Sequence, residues 1–301
     1  MYSPEEQRDD HGRWTSGGAS AEASQAHAQE VAAGHKPLQG LPQKPIQLPN
    51  GQWYTPGPIG YLKDLADQYM QKAGMAYHPP ETYAKLDKDR AAAIAKAFDA
   101  EVHNPDDPAT KASYEAMAKE TLDQWNTLKA AGIKVEWVKP GMKDPYADSP
   151  RLAALDVSEN KHWWGFPSDQ GFGSDEESAK YAKTNPLMQP VPGEIIDGRP
   201  VVVNDVFRIV HDMFGHLKEG NGFRAEGEEN AWRSHAAMYS DLARPAMTNE
   251  TRGQNSWVNF GPYGETNRTA KAGDTHFAPQ KIGLLPPWVT EEGRDDQHAR
   301  A

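Results

Sequence analysis

Phe207-Arg208-Ile209-Val210-His211-Asp212-Met213-Phe214-Gly215-His216-Leu217 places two histidines five residues apart at the expected end of a short helix, with acidic segments after it. How this stretch turns decides what the surrounding fold can bring together. Imidazole is the commonest protein ligand for mid-size divalent metals. Two imidazoles and a carboxylate on one side of an iron leave coordination positions open for dioxygen or substrate. Candidate carboxylates nearby are Asp212, Glu226, Glu228, Glu229 and Glu250.

Residues five apart on an ideal α-helix point roughly 140° away from each other and cannot face one ion. Gly215 suggests a remedy. The β-branched run Val201-Val202-Val203 precedes Asn204 or Asp205 as the N-cap, and Gly215 stands where a left-handed C-terminal cap would end the helix. On that reading His211 projects from the last turn and His216 swings back from a loop.

The same stretch resembles the pterin-dependent aromatic amino acid hydroxylases, whose iron is held by two histidines of an H-E-x-x-G-H helix end and a later glutamate. His211 and His216 fall on the two ligand histidines, Gly215 on the glycine between them, and Phe223 and Glu229 on a phenylalanine and a glutamate of the next helix. The resemblance implies a mononuclear non-haem Fe(II) centre with Glu250 as third ligand. It spans about residues 204 to 261. Asp212 replaces the motif glutamate, no proline follows His216, and no pterin-binding segment can be placed, so it leaves substrate and organic cosubstrate open.

Other chemistry sits close by. A helix from Phe223 to Leu242 would align Glu228, Trp232, His235 and Tyr239 on one face, making His235 an acid–base group or a support for a ligand. Glu250-Thr251-Arg252-Gly253-Gln254-Asn255-Ser256-Trp257 mixes hydrogen-bonding and aromatic side chains as a pocket wall does. Here Arg252 would orient substrate, with Trp232, Trp257 and Asn255 around it. Zinc is the alternative metal, with Glu228 or Glu229 as ligand or as general base toward bound water. The plainest alternative makes both histidines structural groups at a helix end.

A net charge of −11 argues against general nucleic-acid binding, which needs a basic face. Cysteine is absent, which removes thiolate ligands and nucleophiles. No apolar run reaches membrane-spanning length, and the amino terminus has neither the basic start nor the apolar stretch of a secretion signal. The expected location is the cytoplasm.

The first fifty or so residues are rich in Ala, Gln, Ser, Gly and Pro, and predict a flexible arm over residues 1–51. Within it Arg8-Asp9-Asp10-His11-Gly12-Arg13-Trp14 resembles a short element of tailed-phage virion and head-morphogenesis proteins. That resemblance implies a phage-encoded product, made in the host cytoplasm and packaged in the virion if Arg8, Arg13 and Trp14 dock on other phage proteins. A non-catalytic assembly protein is the competing function.

Residues 52–290 are expected to form one α-rich α+β domain with a few short antiparallel strands, followed by a mobile tail at 291–301. Predicted helices begin near Pro58, run from Glu81 to about Val102, and start at the cap Asp107-Pro108 to stop at Gly132. Alternation predicts a strand over Ile133 to Val138, and another strand is expected over His162 to Phe166. A short helix is expected from Ser149-Pro150 and another over Asp175 to Lys183. Asp197-Gly198 predicts a hairpin turn between Glu194-Ile195-Ile196 and Pro200 to Val203.

Overall fold

The computed structural model describes residues 37–42, 45–48, 50–168, 183–270 and 274–291. The Arg8, Arg13 and Trp14 element, nearly all of the helix expected over Asp175 to Lys183, and the tail beyond residue 291 lie outside these. The α-rich α+β class holds, with short strands set among helices.

A two-residue ladder, β1 (Ile46–Gln47) with β2 (Trp53–Tyr54), opens the described chain. Leu38 and Leu48 are already buried, so packing begins before residue 52. Three helices follow. The first is α1 (Gly60–Ala73), which Gly74 closes in the left-handed conformation. The second, α2 (Lys88–Ala100), starts later than expected, because the Asp87 carboxylate caps the Asp89 and Arg90 N–H groups. The third, α3 (Pro108–Ala130), has Asp107 on the Thr110 N–H and proline in its first turn. Tyr114, Met117, Trp125 and Leu128 make its buried stripe, as the 3.6-residue period requires.

Strand β3 (Lys134–Trp137) pairs in parallel with β4 (His162–Gly165), in register Lys134 to His162, across α4 (Leu152–Asn160). This one pair is parallel, beside the expected short antiparallel strands. A helix between two strands lets the second return in the same direction. The hairpin does form: β5 (Pro190–Ile196) and β6 (Arg199–Val202) are antiparallel, with Asp197 at φ 50° and Gly198 at φ 77°. Positive φ at both turn residues is the pattern that matches strand twist.

The hairpin leads directly into α5 (Val203–His211), and the Asp205 carboxylate accepts from the Val202 and Ser168 N–H groups to fix its entry. A π-helical turn, Asp212–Leu217, continues α5. After a loop come α6 (Ala225–Ala236), α7 (Arg244–Thr248), a second π turn at Asn249–Gly253, and α8 (Gln254–Phe260). Two short helices, α9 (Gly264–Asn267) and α10 (Pro287–Thr290), complete the order. The helix expected to reach Leu242 stops at Ala236. The main core gathers α1, α3, α4, α5 and the first π turn, while Ile94, Phe98, Trp257, Leu285 and Val289 form a smaller one.

Candidate metal centre

Gly215 does not end the helix. The chain runs through it in the π turn, where Lys218 N–H bonds to the Met213 carbonyl at 2.8 Å, and Asn221 N–H bonds to the His216 carbonyl at 2.8 Å. A π turn hydrogen-bonds each residue to the one five before it, so residues five apart stack on one face. His211 and His216 therefore converge without leaving the helix, and the left-handed terminator is Gly220 at φ 77°. Gly215 has a different duty. A Cβ there would lie 3.0 Å from the Ala231 carbonyl oxygen and 3.0 Å from Cε1 of His211, so glycine lets α6 and the imidazole approach together.

The carboxylate that meets the pair is Glu228, in the first turn of α6. Its Oε2 stands 3.3 Å from His216 Nε2 and 4.0 Å from His211 Nε2, and ligand atoms of the three side chains all lie within 4.8 Å of one another. Bonds of roughly 2.0 to 2.2 Å to a central ion would draw such atoms slightly closer.

Tautomers follow from the hydrogen bonds. Gln124 donates its Nε2 to the Met238 carbonyl, so its Oε1 accepts from His235 Nε2 at 2.9 Å. The other His235 nitrogen is then an acceptor, and it faces His211 Nδ1 at 3.1 Å. His211 must carry its proton on Nδ1, which leaves the Nε2 lone pair toward Glu228. Burial, with His216 and His235 adding to it, pushes the His211 pKa well down and keeps the ring neutral. His235 is held neutral by burial too, with Lys218 and His216 acting in the same sense.

His216 donates Nδ1–H to the Gly222 carbonyl at 3.0 Å, so its Nε2 lone pair also faces the Glu228 carboxylate. An acceptor against an acceptor at 3.3 Å is repulsive, and a proton or a cation must sit between them. Burial works against a charged His216, but Glu228, then Asp212 and the Gly222 carbonyl, outweigh it and raise its pKa. The same field that draws a proton there draws a metal ion. Phe223 stacks on His216 with ring centroids 4.3 Å apart, and Phe207 stacks on His211 at 6.1 Å, which fixes both ring planes.

The triad opens on a cavity of ≈ 350 Å³, walled by Arg208, Asp212, Glu250, Asn255 and Phe277 among others. Burial lifts the Asp212 carboxyl to about 6, against the pull of His216 and Arg208.

Several expected roles are redistributed. Glu250 lines the cavity but is not in the converging group: its carboxylate accepts from Tyr114 Oη at 2.6 Å and Gln254 Nε2 at 2.8 Å. Glu229, next to Glu228 on α6, is held by both Nε and Nη2 of Arg252, so Arg252 serves that ion pair and the Val289 carbonyl instead of a substrate. Trp232 is buried beneath the Arg252 guanidinium and donates to Thr248; Trp257 donates to Asp99 in the smaller core. Neither tryptophan walls the cavity, whereas Asn255 does. His235 stands behind His211, fully buried, and has no face on the cavity. Glu226 accepts from the Leu86 N–H. The sequence carried only half of the signal for Glu228, a helical face shared with His235 seven residues on; the contact of His235 with His211 that completes it belongs to the fold.

Comparison with family models, curated proteins and solved structures returned no match. Among the described residues no helix is long and apolar enough to cross a membrane.

Proposed function

We propose that the protein is a mononuclear metal-dependent enzyme of the non-haem iron oxygenase or hydroxylase type, with His211, His216 and Glu228 as ligands. One observation carries the reading: two imidazole lone pairs and a carboxylate oxygen converge on the wall of a cavity large enough for a small molecule. Three protein ligands of this kind leave coordination positions open, and ferrous iron there would supply dioxygen activation. The chain's own residues supply the rest. His235 and Gln124 hold the His211 tautomer, Phe207 and Phe223 fix the rings, and Arg208 and Asn255 offer donors to a ligand in the cavity.

A zinc hydrolase shares the two-histidine, one-carboxylate set, so metal identity separates the readings. Protein purified from iron- and zinc-supplemented growth should hold one metal ion per chain, lost in the His211→Ala, His216→Ala double variant. Ferrous-dependent dioxygen uptake supports the oxygenase. Stoichiometric zinc with no such uptake favours the hydrolase. Metal-free protein with unchanged folding in the double variant refutes both and leaves the phage assembly role, in which Arg8, Arg13 and Trp14 would carry the function.

A further inference from the structure

Glu250 reaches the cavity from the second π turn, and what lies behind it is unusual. Asn249 Nδ2 donates to the Tyr114 oxygen at 3.0 Å, which orients the Tyr114 hydroxyl hydrogen toward Glu250 Oε1 at 2.6 Å. Gln254 donates to the other oxygen. Both Glu250 oxygens thus meet donors from within the protein, and a proton carried by Glu250 is left to face the cavity it lines.

Behind this group stands Glu101, just past the end of α2 and on the wall of a second cavity of ≈ 510 Å³. Both Glu101 oxygens are buried with no hydrogen-bond partner, and so is Oδ1 of Asn249, which itself is fully buried. Asn249 lies beside Glu101, near enough to act on its charge, yet its two amide hydrogens are already given to Tyr114 and the Lys281 carbonyl. Lys281 points its ammonium at the Phe98 and Asp99 carbonyls. Gly283 closes the other side, since a Cβ there would lie 2.8 Å from the Glu101 carboxyl carbon. Buried acceptors facing acceptors are costly, and one added proton would turn Glu101 from an orphaned acceptor into a donor.

We propose that Glu101 and Glu250 form a coupled acid pair that stores a proton beside the ligand cavity, with Glu250 as the acid–base group facing it and Glu101 as the positioning residue behind. In use, the Glu250 O–H gives its proton to a basic atom of a bound ligand, and the resulting carboxylate keeps Tyr114 and Gln254 as donors; the reverse transfer restores the acid. The charge balance around the pair agrees. Burial lifts Glu250 to about 7 despite Tyr114 and Gln254. Glu101 rises to about 8 through burial first and the Glu250 charge second, against Lys281 and Asn249. Asp107 on the Glu101 cavity, and Arg208, Asp212, His211, His216 and Glu228 across the ligand cavity, are the other charged or titratable groups in view. Storage of the proton stands apart from the metal reading; its use on a ligand rests on it.

The test is a pH titration of metal-free, full-length protein with carbon-13 in the glutamate carboxyls, read by NMR. Two carboxyls should titrate near neutrality, well above the rest. Glu101→Gln should remove the upper step and Glu250→Gln the lower one, and loss of Glu250 should also move the Glu101 step down. Ordinary titration of every glutamate overturns the pair, as does a stoichiometric Ca²⁺ or Mg²⁺ that disappears in Glu101→Gln. A second arm uses Co²⁺ as the metal and azide as the probe. Azide affinity of wild type should fall at least several-fold as pH rises through the lower step, and Glu250→Gln should flatten that profile at unchanged Co²⁺ affinity. A tenfold loss of Co²⁺ affinity in Glu250→Gln would make Glu250 a ligand and refute its assigned role. Failure of wild type to bind Co²⁺ sinks the metal reading and with it the use of the proton on a ligand, while the NMR result still decides whether the pair exists.

Discussion

Gly215→Ala tests the close approach of the π turn and α6. Alanine in a helix interior is ordinarily better than glycine by about 1 kcal/mol, so an open site would gain stability. Here the new methyl would meet the Ala231 carbonyl oxygen at 3.0 Å and the His211 ring at 3.0 and 3.1 Å. The carbonyl belongs to a helix backbone and cannot swing away; the imidazole can move, but only by giving up its alignment with His235 and Glu228. Overpacking of this kind costs about 1 to 3 kcal/mol, which cancels the helix gain and leaves a net loss of up to about 2 kcal/mol. Displacing a supported ligand costs roughly 10- to 100-fold in metal affinity. Urea unfolding of metal-free protein measures the first effect, and Co²⁺ titration the second. Gly222→Ala is the control, since a Cβ at Gly222 meets nothing within 4 Å. A Gly215→Ala protein that is more stable than wild type and binds Co²⁺ equally well would refute the close approach, and the convergence built on it.

Three further outcomes follow from the geometry. His235→Phe keeps a ring behind His211 but removes its acceptor and orphans Gln124 Oε1, so Co²⁺ affinity should fall about 10- to 100-fold; an unchanged affinity would mean that the tautomer is set elsewhere. Arg252→Met strands the partly buried Glu229 carboxylate and should destabilise by about 3 to 5 kcal/mol in urea unfolding, while the double variant Arg252→Met, Glu229→Gln should recover much of the loss; equal losses would deny the pair its role. For Glu101, a folded-state pKa near 8 against an ordinary 4.5 means that the folded chain holds the proton more tightly. Its favourable contribution is then complete below 4.5 and is lost as pH climbs through 8, by on the order of 2 to 5 kcal/mol. Glu101→Gln should flatten the pH dependence of the melting temperature over that window, and an unaltered slope would exclude the shift.

Local signals in the sequence carried much of the architecture. Asp107-Pro108 announces α3 because a carboxylate cap and a proline both suit a first turn, and Asp197-Gly198 announces its hairpin because both residues tolerate positive φ. The partner of β3 was out of reach: alternation marks a half-buried strand but says nothing of direction, which here depends on α4 lying between the strands. Gly215 misled for a definable reason. A glycine near the end of an apolar helix fits a left-handed cap and a close packing contact equally well, and only the position of Ala231 separates them. Glu228 was harder to choose than the histidines. A carboxylate from another helix is selected by the docking of α6 on the π turn, through contacts such as Ser234 Oγ to the Phe214 carbonyl, and that docking is a tertiary fact. The resemblance points to Glu250 as the third ligand, and its displacement by Glu228 rests on Tyr114, far away in sequence, which holds the Glu250 carboxylate.

Both π turns, at Asp212–Leu217 and at Asn249–Gly253, hold a residue more than an α-helix would need to cover the same rise. Reverting the first to uninterrupted α geometry at unchanged length would carry His216 round to a different side, whereas losing one residue between the histidines along with the π turn would set them four apart and on one face again. Spacing and helix type are therefore linked inside this segment: a spacing of five between the histidines calls for the π turn, and a spacing of four calls for its absence. Among natural variants, a single-residue gap between the histidines should keep the pair only where the π turn is lost with it.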